Sequence, residues 1–189
     1  MKFNSPTLVS AAVLALAAAA AQAQTAATTD APAAKPAKSL SHKDASFLRS
    51  ASDANNAEVD ASKTAIAQSG SADVKTFAQS MVDDHSKAED ELTGLASQKG
   101  VKVSVKPSLT QQAEGKMLAE RKGSSYDQHY ADSIGVKAHQ DTIKLFQKEA
   151  DKGDDADVKA WATKMLPALQ HHLEMAQALK AKTDAEPKS

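Results

Sequence analysis

"FAQSMVDDHSKAEDEL", residues 77–92, decides how the rest of the chain is read. At helical spacing Met81, His85, Ala88 and Leu92 fall on one stripe, while Asp83 and Asp84 point to water and the "EDE" run at 89–91 reads as a solvated face. The spacing predicts an amphipathic helix with an acidic outer surface and a histidine on its buried side. An ionisable group buried alone costs several kcal/mol, so His85 needs a partner from a neighbouring helix.

The pattern around this stretch supplies the neighbours. The helix holding it opens at Ser71, with Asp73 in its first turn, and stops before Gly100, with Val74, Ala78 and Leu95 completing the stripe. Before it, a helix runs from Ser41 to about Ser69, with Asp44 completing an approximate capping box and Phe47, Ala51, Ala54, Glu58, Ala61 and Ala65 on its stripe. After it comes the extended piece "GVKVSVKP", then a short helical segment from Leu109 to Lys122, then a restart at Gly123-Ser124-Ser125. A third long helix spans Tyr126 to Lys152, with Val136, His139, Ile143, Phe146 and Ala150 on its clearest stripe. "GDD" at 153–155 turns the chain, and Asp154 or Asp155 caps a fourth helix. That helix carries Val158, Trp161, Met165, Leu169, His172, Met175 or Ala176, and Leu179, with Pro167 set to bend it or loosen one turn.

Short turns join the first helix to the second and the third to the fourth, which predicts two antiparallel hairpins. The 100–124 stretch is long enough to carry the chain back along them. The expected fold is therefore all-α: a four-helix bundle over 41–182 whose hairpins are joined by a long crossover containing a short helix. The repeat of "DVKTFAQSM" (73–81) as "DVKAWATKM" (157–165) suits a pseudo-twofold pair of hairpins.

Composition narrows the function. In 189 residues, 23 Lys and Arg face 24 Asp and Glu, without the basic stripe of a nucleic-acid binder. There is no cysteine, hence no disulfide, thiol nucleophile or Cys-based metal site. Lys2, the apolar run from Leu8 to about Ala21 and Ala21-Gln22-Ala23 read as a signal peptide, residues 1–23, cut after Ala23. No cysteine follows the cut to accept lipid, and no later segment is a membrane span. The expected product is periplasmic, with a disordered Ala/Pro/Thr-rich linker at 24–40 and a disordered tail at 183–189.

Each long helix puts one ionisable residue on its stripe: Glu58, His85, His139 and His172. At about 1.5 Å per residue, Glu58 and His85 differ by roughly 3 Å in height and are the expected pair. His139 and His172 differ by roughly 7 Å and match less well. Two readings stay open: a core hydrogen-bond cluster that fixes helix register, or a site for one transition-metal ion such as Zn, Cu, Fe or Mn. His42, His129 and His171 read as solvated, and Met81, Met165 and Met175 as gap-filling core rather than thioether ligands. Catalytic motifs are missing. Di-iron bundles need Glu three residues before His on each of two helices; here Val82 precedes His85, Leu169 precedes His172 and Ala168 precedes His171.

"FLRSASDANNAEVDAS", "VKTFAQSMVDDH", "YDQHYADSIGVKAHQDTIKLFQKEA" and "LPALQHHLEMAQAL" together resemble the exported bacterial family catalogued as domain of unknown function 4142. The resemblance implies a ferritin-like bundle and no established reaction. It also implies that the recurrent family histidines correspond to His85, His139 and His172, and the recurrent helix-1 glutamate to Glu58. The resulting expectation is a non-catalytic periplasmic bundle of envelope or stress physiology, with a Glu/His core cluster able to bind one metal. The alternatives are a ferritin-like metalloenzyme or oxidase, and a protein-interaction module whose core cluster is purely structural.

Overall fold

The computed structural model describes residues 39–186, so the expected signal peptide and nearly all of the linker lie outside the described residues. The described chain is helical throughout, with no strand. Helix α1 spans His42–Gln68 and α2 spans Ala72–Gln98. The connection holds α3, Leu109–Ala119, and leads to a rod formed by α4, Gly123–His129, a π-helical segment, Tyr130–Ala138, and α5, His139–Lys152. Helix α6, Ala156–Ala185, ends the described fold, passing unbroken through Pro167 and continuing beyond residue 182 into the expected tail.

The helix starts follow local chemistry. The Ser41 hydroxyl accepts from the Asp44 amide, Ser71 from Val74, and Asp155 from Asp157 and Val158, satisfying amides that have no partner inside their helices. Asp44 does not reach back to close the expected capping box. Its carboxylate crosses to the α5–α6 turn instead and accepts from the amides of Asp154 and Asp155. It thereby ties the start of α1 to the start of α6. A full capping box forms elsewhere, between Ser108 and Gln111 at the head of α3. Gly100, at φ 69°, ends the α2 turn in a backbone region that favours glycine.

Apolar burial is divided in two. One cluster gathers Ala61 and Ala65 from α1, Val74 to Met81 from α2, Tyr130 and Val136 from the π segment, and Ala176 and Leu179 from α6. The other gathers Ala45 to Ala51, Leu92 and Ala96, Phe146, and Val158 to Leu169. Along α1 the chain passes from the second cluster to the first, and along α2 it passes back. The connection then begins on the second cluster at Val101 and reaches the first at Leu118. The π–α5 rod and α6 repeat the two passes. The repeated "DVK" segments of α2 and α6 thus start in different clusters, Val74 and Phe77 in one, Val158 and Trp161 in the other. Phe47, Phe146 and Trp161 anchor the second cluster with edge or tilted contacts, the nearest centroids being 5.0 Å apart. Each such pair adds about 0.5–1.5 kcal/mol beyond its buried area.

Between the clusters every long helix carries a polar layer: Asn55 and Glu58 on α1, His85 on α2, His139 where the π segment becomes α5, and His172 on α6.

Candidate metal centre

The three histidines converge. One ring nitrogen from each of His85, His139 and His172 lies within 4.8 Å of the other two. The ring centroids stand 5.3–5.6 Å apart. All three side chains are buried, His139 to 1% exposure.

Each ring has one nitrogen engaged and one bare, and the engaged partner fixes which. His85 Nδ1 is 2.7 Å from Asn55 Oδ1. The Asn55 amide cannot be turned round, because its Nδ2 donates to the His85 carbonyl at 2.6 Å and to Glu89 Oε2 at 3.1 Å. Those groups accept only, so Asn55 Oδ1 faces His85 and Nδ1 carries the proton. His172 Nε2 donates to Asp84 Oδ2 at 3.2 Å. His139 Nδ1 donates to the Ile134 carbonyl at 3.4 Å, with Glu58 Oε1 beyond it at 3.6 Å. The nitrogens left without a partner are His85 Nε2, His139 Nε2 and His172 Nδ1. Three ring nitrogens are therefore without a hydrogen-bond partner in the layer where the three rings meet. In metal sites, an imidazole's second nitrogen is held in this way by a carboxylate, amide or carbonyl.

The electrostatics agree with that assignment. Burial lowers the His85 pKa to about 3, with further lowering from His139 and His172. Burial and His172 bring His139 down to about 4. His172 is also lowered by burial, against the opposing pull of Asp84. All three imidazoles are neutral at physiological pH, the form that metal binding requires. Burial raises Glu58 well above the usual carboxylate range. Neither Glu58 oxygen has a hydrogen-bond partner. A divalent cation nearby would reverse that penalty. An ion centred among nitrogens 4.8 Å apart sits at most about 2.8 Å from each. Closure to a bond of ~2.0–2.1 Å takes side-chain adjustment of under about 1 Å.

The expected pairing of Glu58 with His85 is corrected. Glu58 stands behind His139, and His85 is held by Asn55, one turn earlier on α1. His139 and His172, expected to match less well, are in ring contact. Asp84 does not simply face water: its half-exposed carboxylate orients His172. Glu89, read as solvated, is half-buried and accepts from Ser52, Asn55 and Asn56. Burial still raises its pKa. Asp84, Asn55 and Glu89 are the site residues the sequence did not single out. His42 and His171 are exposed, and His129 is half-buried with its Nδ1 on the Ser125 carbonyl. Met81 and Met175 pack in the first cluster, and Met165 packs against the second.

The π segment sets the position of His139. Its wider winding takes the place of the α-helix expected from Tyr126, and π segments recur at functional sites. The carbonyl that holds His139 belongs to Ile134, five residues back. Gly135 keeps the segment close to α6: a Cβ there would meet the Ala176 Cβ at 3.0 Å.

Two cavities adjoin the site. One, of about 70 Å³, lies among Glu58, His85, His172 and the apolar side chains of the second cluster. The other is a groove of about 930 Å³ beneath α3, with Glu58 again in its wall. Glu58 is common to both.

The model of the domain of unknown function DUF4142 matches residues 28–179. The chain belongs to this family. The matched span contains Glu58 and all three converging histidines of this DUF4142 member. No curated protein matches it. Its structure is similar to the crystal structure of a conserved hypothetical protein, rv2844, from Mycobacterium tuberculosis. The TM-score is 0.55 at 17% identity, over 78% of this chain and 94% of that one. At that identity the similarity speaks for a shared fold. No helix among the described residues is long and apolar enough to cross a membrane.

Proposed function

We propose that this protein is an exported, periplasmic, ferritin-like four-helix bundle that holds one divalent transition-metal ion on His85, His139 and His172. The single observation that carries the metal reading is the set of three unpartnered nitrogens, each on a ring whose other nitrogen is fixed. A core cluster serving only helix register would spend those nitrogens on one another or on neighbouring polar groups. Three neutral imidazoles suit zinc, copper or iron, and leave one coordination position to another ligand. Glu58 supplies negative charge behind His139 once the ion offsets its burial.

The bundle reading draws support from the order in which the four long segments visit the two clusters, and from the connection that runs from the second cluster to the first. That order suits hairpins joined by one crossover. Export rests on the leader-like pattern of residues 1–23 alone, and that pattern also motivates the proposed envelope or stress role.

Thermal unfolding with added Zn(II) or Co(II) tests the metal reading. A ligand at about 100 times its dissociation constant stabilises the folded state by ~2.7 kcal/mol. The wild-type protein should show a Tm that climbs with the logarithm of metal concentration above the dissociation constant, and a folded His85→Ala/His172→Ala variant should show no such rise. An equal rise in that variant would place the ion elsewhere.

A further inference from the structure

The cavity of about 70 Å³ beside the histidines has two unlike ends. Glu58, His85 and His172 belong to the polar layer, while Leu92, Phe146 and Trp161 belong to the second apolar cluster. Water is poorly served at the apolar end, since an ordered molecule needs two to four polar partners and these side chains offer almost none. Apolar cavities of ~150 Å³ stay dry and take up benzene or xenon. About half that volume suits a molecule of roughly two heavy atoms. Charge narrows the class further. Glu58 and Asp84 are among the lining residues and no lysine or arginine is, which disfavours anions.

The geometry points to this cavity as the binding chamber for a small neutral diatomic molecule, of the nitric oxide or dioxygen class, at the open coordination position of the metal. The inference rests on the metal reading above and adds the ligand class. One end of the molecule meets the ion among the histidines, and its body lies against Leu92 and Phe146. Ala88, half-buried in the chamber wall, is the position where added side-chain volume fills the space without replacing a residue that holds the ion.

Two probes separate the chamber from the metal. Xenon pressed into the metal-free full chain should give saturable NMR shifts at the Leu92 and Leu169 methyl groups. Those shifts should be lost in Ala88→Leu. Absent shifts, or shifts unchanged in that variant, would overturn the chamber whatever the metal does. Nitric oxide added to Fe(II)-loaded protein should give the EPR signal of an iron–nitrosyl adduct, formed at least tenfold more slowly in Ala88→Leu at equal iron content. Iron that binds but gives no adduct would overturn the inference while leaving the metal reading intact. Failure to bind iron or any other tested divalent metal, with xenon shifts present, would show that the metal reading itself had failed and would take this inference with it.

Discussion

Asn55 and His85 hold each other by two hydrogen bonds: His85 Nδ1 meets Asn55 Oδ1 at 2.7 Å, and Asn55 Nδ2 returns to the His85 carbonyl at 2.6 Å. The pair fixes both the position of the ring and its tautomer. Removing such a partner from a metal-binding histidine typically lowers affinity about 10–100-fold. Asn55→Ala should therefore remain folded and bind Zn(II) or Co(II) weaker by that factor in a competitive chelator titration. Unchanged affinity would show that His85 is oriented by its packing alone.

In the metal-free protein, His85 and His139 should each contribute stability that is lost as pH falls through the unfolded histidine range. His85 and His139 have folded pKa values lowered to about 3 and about 4. A lowered pKa contributes stability that is present above the unfolded value of about 6.5 and lost as pH falls, because the unfolded chain takes up the protons first. At pH 5.5 each ring should cost roughly 1.4 kcal/mol relative to neutral pH. Urea unfolding of wild type and of variants with either ring replaced by Phe, at pH 7.5 and 5.5, isolates each ring from the opposing carboxyl groups; each replacement should change the pH 7.5-minus-5.5 stability difference by about that amount.

Glu58 works in the opposite direction. Its folded pKa is raised, so its contribution is fully present below the unfolded value and is lost as pH climbs above it. Glu58→Gln keeps the shape and stays neutral. The metal-free variant should be more stable than wild type at pH 7.5 and lack that part of the decline, yet bind metal more weakly for want of the counter-charge. Urea unfolding of both chains at pH 5 and 7.5, with a parallel metal titration, checks both signs.

Gly135 tests the π segment. An added methyl meets the Ala176 Cβ at 3.0 Å, and neither atom can yield unless a helix moves. Helix propensity would favour alanine by about 1 kcal/mol, but overpacking a core contact costs ~1–3 kcal/mol. Gly135→Ala should therefore lower Tm and weaken metal binding together, because the shift separates His139 from His172. A raised Tm would mean that α6 accommodates the methyl freely.

Much of this arrangement was legible in the sequence, because burial on a helix repeats every three or four residues. The stripes through Phe47, Val74, Val136 and Val158 placed Glu58, His85, His139 and His172 inward. Partner choice was harder to read. Asn55 and His85 each stand 14 residues from the caps Ser69 and Ser71, so helical rise brings them level. Glu58 carries the charge on that stripe, whereas a neutral amide such as Asn55 suffices to hold an imidazole proton. Asp84 and Glu89 were assigned to water by their helix face, but side chains at the border of a stripe reach sideways to a neighbouring helix. The π segment left no trace in the periodicity of Tyr126 to Lys152. Its winding is set by contacts such as Gly135 on Ala176, which come from distant parts of the chain.

The most direct test of the proposed metal centre is the metal content of untagged protein recovered from its native cells, measured by mass spectrometry of all transition elements. The account predicts close to one divalent transition-metal ion per chain in the wild type, and none in folded His85→Ala, His139→Ala or His172→Ala variants. Wild-type protein that is metal-free, and whose stability ignores added Zn, Cu, Fe and Mn, would contradict it and leave the three histidines a purely structural layer.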